Sequence, residues 1–167
     1  MFELLHYTFF QHALIGSLLA SIVCGMVGTY IVTRRLVFIS GGLTHASFGG
    51  IGIGLYTGIS PILSAALFAV LSAFGVEWLS KRSEMREDSA IAVFWTLGMA
   101  LGIIFTYLSP GFAPDLSSYL FGNILTIAVP DLLFLSIVAL LTTLFFALYI
   151  RPIIAIAFDR EFAASQG

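Results

Sequence analysis

Long apolar stretches, each near the length of a membrane-spanning helix, dominate this chain. About 20 helical residues cross a bilayer core of about 30 Å. Five stretches approach or reach that length: Ala13–Val32, Leu43–Thr57, Pro61–Leu79, Ala90–Leu108 and Asp131–Ile150. Only 10% of the 167 residues are charged, whereas soluble domains carry about 25% charge. We therefore predict an all-α, polytopic membrane protein with about five transmembrane helices, forming a single transmembrane domain over residues 1–167.

Two apolar segments fit a simple span poorly. Leu43–Thr57 is glycine-rich and reaches only about 23 Å at about 1.5 Å per residue, so we expect this span to be tilted, interrupted or shielded by protein. Leu116–Val129 is flanked by Asp115 and Asp131 and is broken by Gly122–Asn123. We predict that it forms a re-entrant or interfacial helix before the fifth span, packed against protein.

The positions of lysine and arginine predict which side of the membrane each loop faces. These residues follow the first span at Arg34–Arg35, separate the third span from the fourth, and follow the fifth. The loops Gly58–Ser60 and Ser109–Pro130 contain none. With the N-terminus outside and five crossings, every Lys and Arg lies on the cytoplasmic side, as the positive-inside rule expects. No basic surface suggests a nucleic-acid partner, and Met1–His12 favours an uncleaved anchor because it lacks Lys and Arg.

Small residues recur every four positions in the short second span. Ala46, Gly50, Gly54 and Gly58 form one stripe on a helix, and such a stripe lets another backbone approach closely. The pattern favours helix packing within one subunit. An oligomer face or a pathway lining stays open as the alternative.

His45 is the only histidine well inside the apolar segments, and Thr44 and Ser47 lie beside it. Neutral imidazole is a good ligand for zinc, manganese and iron. One histidine is not a metal site, because stable zinc sites have three or four protein ligands. An ion in transit, however, must be bound weakly enough to leave. Two interpretations therefore stay open, a packing or hydrogen-bonding histidine and a residue of a polar path, while His6 and His12 are interpreted as interfacial.

The sequence favours transport over catalysis. It contains no Walker motif, no His-Glu-x-x-His and no Cys-x-x-Cys, so uphill transport would take its energy from a partner or an ion gradient. An enzyme using His45 with Ser47 or Ser40 is disfavoured, because residues two apart point to different helix faces and no acid completes a triad. A secondary transporter or channel without an ATPase is the main alternative, although no acidic residue is buried deep within a span to relay protons, since Glu77 and Asp131 lie at span ends.

Four motifs carry a resemblance to a known family. They are Arg34–Arg35 with Gly42-Leu43-Thr44-His45-Ala46-Ser47, Glu87-Asp88-Ser89-Ala90-Ile91 opening the fourth span, Leu116–Leu125 before Asp131, and Phe158-Asp159-Arg160-Glu161-Phe162-Ala163 with Gly167. In this order and spacing, the chain resembles the integral-membrane permease of bacterial ABC importers of zinc, manganese or iron.

The resemblance implies that this chain is one component of a transporter with several subunits. Such permeases pair into a dimer, here expected to be a homodimer, with the metal path along the shared axis. A cytoplasmic ATP-binding cassette ATPase hydrolyses ATP, and an extracellular or periplasmic metal-binding protein delivers the ion. The divalent metal ion is the substrate, and no permanently bound cofactor is expected. The resemblance also implies a bacterial or archaeal inner membrane.

The resemblance assigns roles to particular residues. His45 becomes a metal-path residue. Residues 152–167 become a coupling segment that docks on the ATPase, and the residues expected to make that contact are Phe158, Asp159, Glu161 and Phe162.

The chain departs from the family pattern in three places. Many members carry an aspartate four residues before the histidine, on the same helical face, where this chain has Gly41, so His45 lacks an acidic partner. Phe121–Gly122 is often followed by aspartate in the family and is followed here by Asn123. Family permeases also continue into several more helices, so we expect residues 1–167 to be an incomplete permease domain.

Overall fold

The computed structural model describes residues 6–83, 85–110, 119 and 121–158. Within these ranges the chain forms helices and no strands. The α-helices are α1 (Thr8–Thr33), α2 (Val37–Ala46), α3 (Phe48–Thr57), α4 (Pro61–Arg82), α5 (Glu87–Leu108) and α6 (Val129–Phe158), and a 3-10 turn spans Ile124–Thr126. The prediction of an all-α protein is confirmed.

In the described part of the chain, four helices are long and apolar enough to cross a membrane. They are α1, α4, α5 and α6 up to Ala157. Each contains one predicted span and extends it at one or both ends, because helices continue beyond the apolar core into the flanking polar residues. The polytopic helical architecture is therefore confirmed.

The short second span is a pair of helices, α2 and α3, of ten residues each. They meet at Ser47, whose N–H donates to Leu43 O at 2.9 Å and whose hydroxyl donates to Thr44 O at 2.6 Å. The pair begins at Val37, earlier than the predicted start, and ends at Thr57 as predicted. The expectation of an interrupted span is confirmed.

The chain divides into two compact units. One comprises Met1–Leu36 with Asn123–Gly167, and the other comprises Val37–Gly122. In the first unit, α1 packs against α6 and the 3-10 turn; in the second, α3 packs against α4 and α5, and α2 packs mainly against α5. The single domain over residues 1–167 stays a prediction.

In the first unit, α1 and α6 run in the same direction. Near their starts, His12 Nδ1 lies 2.9 Å from Ile127 O, just before α6. Gly16, one turn further along α1, also packs against Ile127. Near their ends, Arg34 Nη1 donates to Ile156 O at 2.8 Å. Contacts that advance together along both helices show that the pair is parallel.

The segment predicted as an interfacial helix, Leu116–Val129, lies partly outside the described residues. Its described end contains the 3-10 turn, where Asn123 Oδ1 accepts a hydrogen bond from Leu125 N–H at 3.0 Å. At the start of α6, Asp131 Oδ2 accepts from Ala128 N–H at 2.9 Å. Both side chains satisfy backbone donors that have no partner within a preceding helical turn.

α6 bends close to the point at which the sequence predicts its end. The fifth span is predicted to finish before Arg151–Pro152, but the helix continues to Phe158 across a kink at Tyr149 (φ −110°, ψ 16°). Proline has no N–H for the carbonyl one turn earlier, and its ring pushes that carbonyl away. Pro152 therefore redirects this helix and does not terminate it.

In the second unit, α3 and α4 run antiparallel. Gly54 lies against Pro61 at the start of α4, and Gly50 lies against Phe68 further along it. An ideal Cβ at Gly50 would be 2.7 Å from Phe68 Cβ, so a side chain at this position would force the two backbones apart. Six of the ten α3 residues are buried, because small residues let neighbouring helices close around it.

The α2–α3 pair runs parallel to α5. Gly98 of α5 lies against Ala46 at the end of α2, and the rings of Tyr56 and Phe105, near the ends of α3 and α5, are 5.5 Å apart. Between these contacts Phe48 is 1% exposed. The pair therefore has the same direction as α5 and the opposite direction to α4.

Candidate functional site

His45 lies in the last turn of α2 and stacks on an aromatic ring of α5. Its imidazole and the Trp95 indole have centroids 4.5 Å apart and planes inclined by 6°. The residue is half-buried, and its Nδ1 atom is buried. Among the described residues, Nδ1 has no hydrogen-bond partner. The contact is therefore a flat aromatic stack and not a polar network.

Three residues on one face of α2 approach Trp95. The ring of Phe38 is 5.7 Å from the indole, and His45 stacks on it. An ideal Cβ at Gly41 would lie 4.0 Å from Trp95 Cζ3. Spacings of three and four residues place these positions on the same side of a helix, so the indole lies along two turns of α2.

Small residues bring α2 close enough to α5 for this stack. Gly42 is buried against the side chain of Ile91, one turn before Trp95. Ala46 is buried against Gly98, which follows Trp95 by three residues. The imidazole therefore lies between two close contacts, Gly42 against the Ile91 side chain and Ala46 against Gly98 through backbone atoms.

The hydroxyl groups beside His45 are engaged with their own helix. Thr44 Oγ1 donates to Ser40 O at 2.7 Å, Ser47 Oγ donates to Thr44 O at 2.6 Å, and Ser40 Oγ donates to Val37 O at 2.9 Å. None of these bonds reaches His45. A hydrolase needs a nucleophile in hydrogen-bond contact with its base, and these three bonds do not provide that contact.

Metal-ligating side chains do not cluster in the described ranges. No group of three or more His, Cys, Asp or Glu there could hold a metal ion. The other two histidines of the chain lie elsewhere: His6 is exposed, and His12 contacts Ile127 O. Because structural and catalytic zinc sites use three or four protein ligands, His45 offers one ligand to an ion and does not form a closed site by itself.

The small-residue stripe has a packed part and a separate end. Ala46, Gly50 and Gly54 contact neighbouring helices within the second unit. Gly58 instead follows α3 as its C-cap, with φ 75° and nothing within 4 Å of an ideal Cβ. Glycine there serves the left-handed backbone conformation that ends many helices. The four-residue repeat therefore combines two different uses of small residues.

The predicted coupling residues lie at the edge of the described chain. α6 ends at Phe158, and Asp159, Glu161 and Phe162 lie outside the described residues. Of residues 152–167, the described part is helical up to Phe158. Docking through this segment stays a prediction.

A cavity of about 490 Å³ between α1 and α6 is a poor alternative site for a metal ion. Its lining is largely apolar and includes Gly25, Thr29, Tyr30, Thr33, Phe146 and Ile150. The hydroxyls of Thr29 and Thr33 donate to carbonyls of α1 at 2.7 and 2.8 Å. Among the described residues, those that line the cavity include no histidine, cysteine or carboxylate, so His45 remains the candidate.

Comparison with known proteins decides the family. Residues 6–167 match the family described as the ABC 3 transport family. The chain belongs to this family. The match confirms the family resemblance that the four sequence motifs carry.

The relatives of this chain include membrane proteins named for metal transport. It is 41% identical over 167 residues to an uncharacterized membrane protein of Synechocystis, covering 99% of this chain and 59% of the relative. It is 32% identical over 165 residues to the manganese transport system membrane protein MntC of Halalkalibacterium halodurans, covering 99% and 56%. It is 37% identical over 158 residues to a probable metal transport system membrane protein of Chlamydia trachomatis, covering 91% and 54%.

A solved structure supports the fold of this ABC 3 chain. The chain superimposes on PsaBC from Streptococcus pneumoniae in complex with Fab with a TM-score of 0.77 and 27% identity. The match covers 98% of this chain and 59% of that one. The chain thus spans between half and two thirds of the length of the relatives it matches.

Proposed function

We propose that this chain is part of the membrane-spanning permease subunit of an ATP-driven ABC importer, with a divalent transition-metal ion (zinc, manganese or iron) as its substrate. The observation that carries the proposal is the match to the ABC 3 transport family over residues 6–167, with relatives named for manganese and metal transport. The chain itself has no catalytic role; a cytoplasmic ATP-binding cassette partner hydrolyses ATP.

Helix directions support five membrane crossings with the N-terminus outside. α1 and α6 are parallel, so an odd number of crossings separates them. α4 and α5 supply two. The α2–α3 pair runs opposite to α4 and parallel to α5, so it fits as the third, although each of its helices is short. We propose that Arg34–Arg35 lie in the cytoplasm and that the protein is in the inner membrane; this order supports the five crossings, and the positive-inside rule supports the orientation.

His45 is the residue proposed to contact the ion. Imidazole binds zinc, manganese and iron, and conduction requires a ligand that holds an ion only briefly. In a homodimer, two copies of His45 facing each other across the shared axis form a symmetric, weak site. A metal-binding protein outside the membrane delivers the ion, and residues 152–167 transmit the ATPase cycle through docking.

The test is ATP-driven metal uptake. The gene is expressed together with an ATP-binding cassette ATPase and a metal-binding protein of the same transporter family, from the same organism, in cells that lack their own manganese importers, and Mn²⁺ accumulation is measured. We expect uptake that disappears when the Walker lysine of the ATPase is replaced. We also expect His45→Ala to lower uptake without reducing the amount of assembled complex, while His6→Ala, which changes an exposed histidine, does not.

Two results would contradict the proposal. Uptake that persists at the same rate without the ATPase, and that follows an ion gradient, supports a secondary transporter or channel. Absence of Mn²⁺, Zn²⁺ and Fe²⁺ uptake by an assembled complex refutes metal import. If uptake depends on the ATPase but His45→Ala takes up metal as fast as the parent, the proposed transport function stands and His45 is a packing residue.

A further inference from the structure

The Trp95 indole lies against the face of the His45 imidazole, and among the described residues no polar partner lies beside the buried Nδ1 atom in the ring plane. A histidine that binds a metal through one nitrogen almost always donates its other N–H to a carboxylate, a carbonyl or water, and this bond orients the ring. In the described structure the buried Nδ1 of His45 has no such partner. Within the described part of the chain, the imidazole contacts one aromatic ring, Trp95, with planes 6° apart.

We propose that Trp95 is a positioning residue for the metal path, and that it orients His45 by stacking in place of a hydrogen bond. The proposal rests on the function proposed above. The indole holds the imidazole plane and leaves Nε2 as the nitrogen that meets the ion. Nδ1 is buried and is therefore not the nitrogen that an ion reaches in this conformation.

Gly41 provides the space for this arrangement. It lies one turn before His45 on the same face of α2, and even a methyl group there would reach ordinary contact with Trp95 Cζ3, at 4.0 Å. Phe38 closes the same face one turn earlier, 5.7 Å from the indole. A larger or polar side chain at position 41 would compete with Trp95 for the surface beside the imidazole. Because Gly41 has no side chain, the Trp95 indole can lie against His45 without competition from position 41.

An imidazole oriented by stacking is a weaker ligand than one oriented by a hydrogen bond. A carboxylate or carbonyl partner raises the basicity of the ligating nitrogen, and loss of such a partner typically lowers metal affinity 10- to 100-fold. An indole face keeps the ring in place without raising its basicity. The stack thus provides orientation together with weak binding, which is the combination that passage of an ion requires.

The chain has two tryptophans, which makes the stack directly observable. Trp78 is 59% exposed and lies beside Arg82, so Trp78→Phe leaves Trp95 as the single tryptophan of this chain, which can be excited selectively over the tyrosines at long wavelength. The chain in lipid nanodiscs is titrated with Mn²⁺ alone, and with Mg²⁺ as a control that prefers oxygen ligands. Emission reports on the stack, while the electron paramagnetic resonance signal of free Mn²⁺ measures binding independently of tryptophan.

We expect Mn²⁺, and not Mg²⁺, to change Trp95 emission with the same midpoint as binding, and His45→Ala to abolish both signals. Trp95→Ala should weaken Mn²⁺ binding about 10-fold, as loss of an orienting partner does. Trp95→Phe should stay within about threefold of the parent, because a phenyl ring keeps most of the stack. Trp78→Ala is the matched control and should leave the affinity unchanged.

The outcomes separate the two proposals. If Trp95→Ala binds Mn²⁺ as the parent does while His45→Ala does not, Trp95 is a packing residue and the metal-path role of His45 survives. If Trp95→Phe loses as much affinity as Trp95→Ala while both keep the parent's helical circular dichroism, orientation by stacking is refuted. If neither the parent nor any variant binds Mn²⁺, the stacking proposal is refuted. If ATP-driven uptake is also absent, the proposed function is refuted as well.

Discussion

Replacing Gly50 by alanine should destabilise the second unit through a single methyl group. An ideal Cβ at this position would overlap the carbonyl oxygen of Ser64 and would lie 2.7 Å from both the Ser64 carbonyl carbon and Phe68 Cβ. Ordinary contact begins at 3.4 Å, and relieving the overlap with Ser64 O requires α3 and α4 to separate by about 1 Å at this point. Two of the atoms belong to backbone, which cannot rotate away.

Two opposing terms set the magnitude for Gly50→Ala. Overpacking a close-packed interior by a methylene-sized group typically costs about 1–3 kcal/mol, and a backbone neighbour puts this site near the upper end. Alanine gains about 1 kcal/mol over glycine in helix propensity. We therefore expect a net loss of about 2 kcal/mol in the free energy of unfolding.

Gly41→Ala is the matched control, because it changes another helical glycine in the same unit. Its nearest neighbour would be Trp95 Cζ3 at 4.0 Å, so only the propensity gain applies, about 0.5–1 kcal/mol. Both variants carry that gain, and their difference, about 3 kcal/mol, isolates the packing contribution.

The assay is reversible unfolding of the chain in mixed detergent micelles, with sodium dodecyl sulfate as denaturant and far-ultraviolet circular dichroism as the signal. The two variants and the parent are compared at their midpoints, provided that the slopes agree. If Gly50→Ala is as stable as Gly41→Ala, the close approach of α3 to α4 is not a feature of the folded protein.

Two further variants test other parts of the second unit. Gly58→Ala should lower stability by about 1 kcal/mol, because φ is 75° there and the left-handed conformation is costly for residues with a Cβ; Gly58→Asn should lower it less, and equal stability of all three would show that the αL cap is absent. Gly42→Ala should destabilise the contact with the Ile91 side chain; Ile91→Ala should itself cost about 2–5 kcal/mol because Ile91 is buried, but the double variant should lose less than the sum of the two single losses, since the shortened side chain leaves room for the added methyl. Additive effects of the two changes in the same micelle unfolding measurement would contradict the contact.

The long helices could be predicted from the sequence because hydropathy is a local property. The fourth span, predicted over Ala90–Leu108, lies within α5, Glu87–Leu108. The errors lie at the ends, where packing and proline decide. Pro152 marks a kink in α6 and not its end, because the residues after it can resume helical bonding even though one N–H is missing. A proline alone does not indicate which of these outcomes occurs.

The candidate site could be predicted only in part. His45 stands out because it is a lone imidazole in an apolar segment, and its position in a glycine-rich span points to close helix packing. Trp95 could not be recognised, because it lies on a different helix, far along the chain, and a contact between two helices leaves no periodic signal within either one. The stack becomes visible only when Gly42 and Ala46 bring α2 against α5.

The packing that forms the site also restricts how it can move. Around α3, a Cβ at Gly52 would lie only 2.8 Å from Gly102 Cα, so α3, α4 and α5 have little room to slide and should move as one body. α2 differs, because the break at Ser47 separates it from α3, and its close backbone approach to α5, Ala46 against Gly98, lies beside that break. If His45 leaves the indole during transport, the smallest motion that achieves this is a rotation of α2 about Ser47, and such a rotation separates the stack while leaving the glycine contacts of α3 intact.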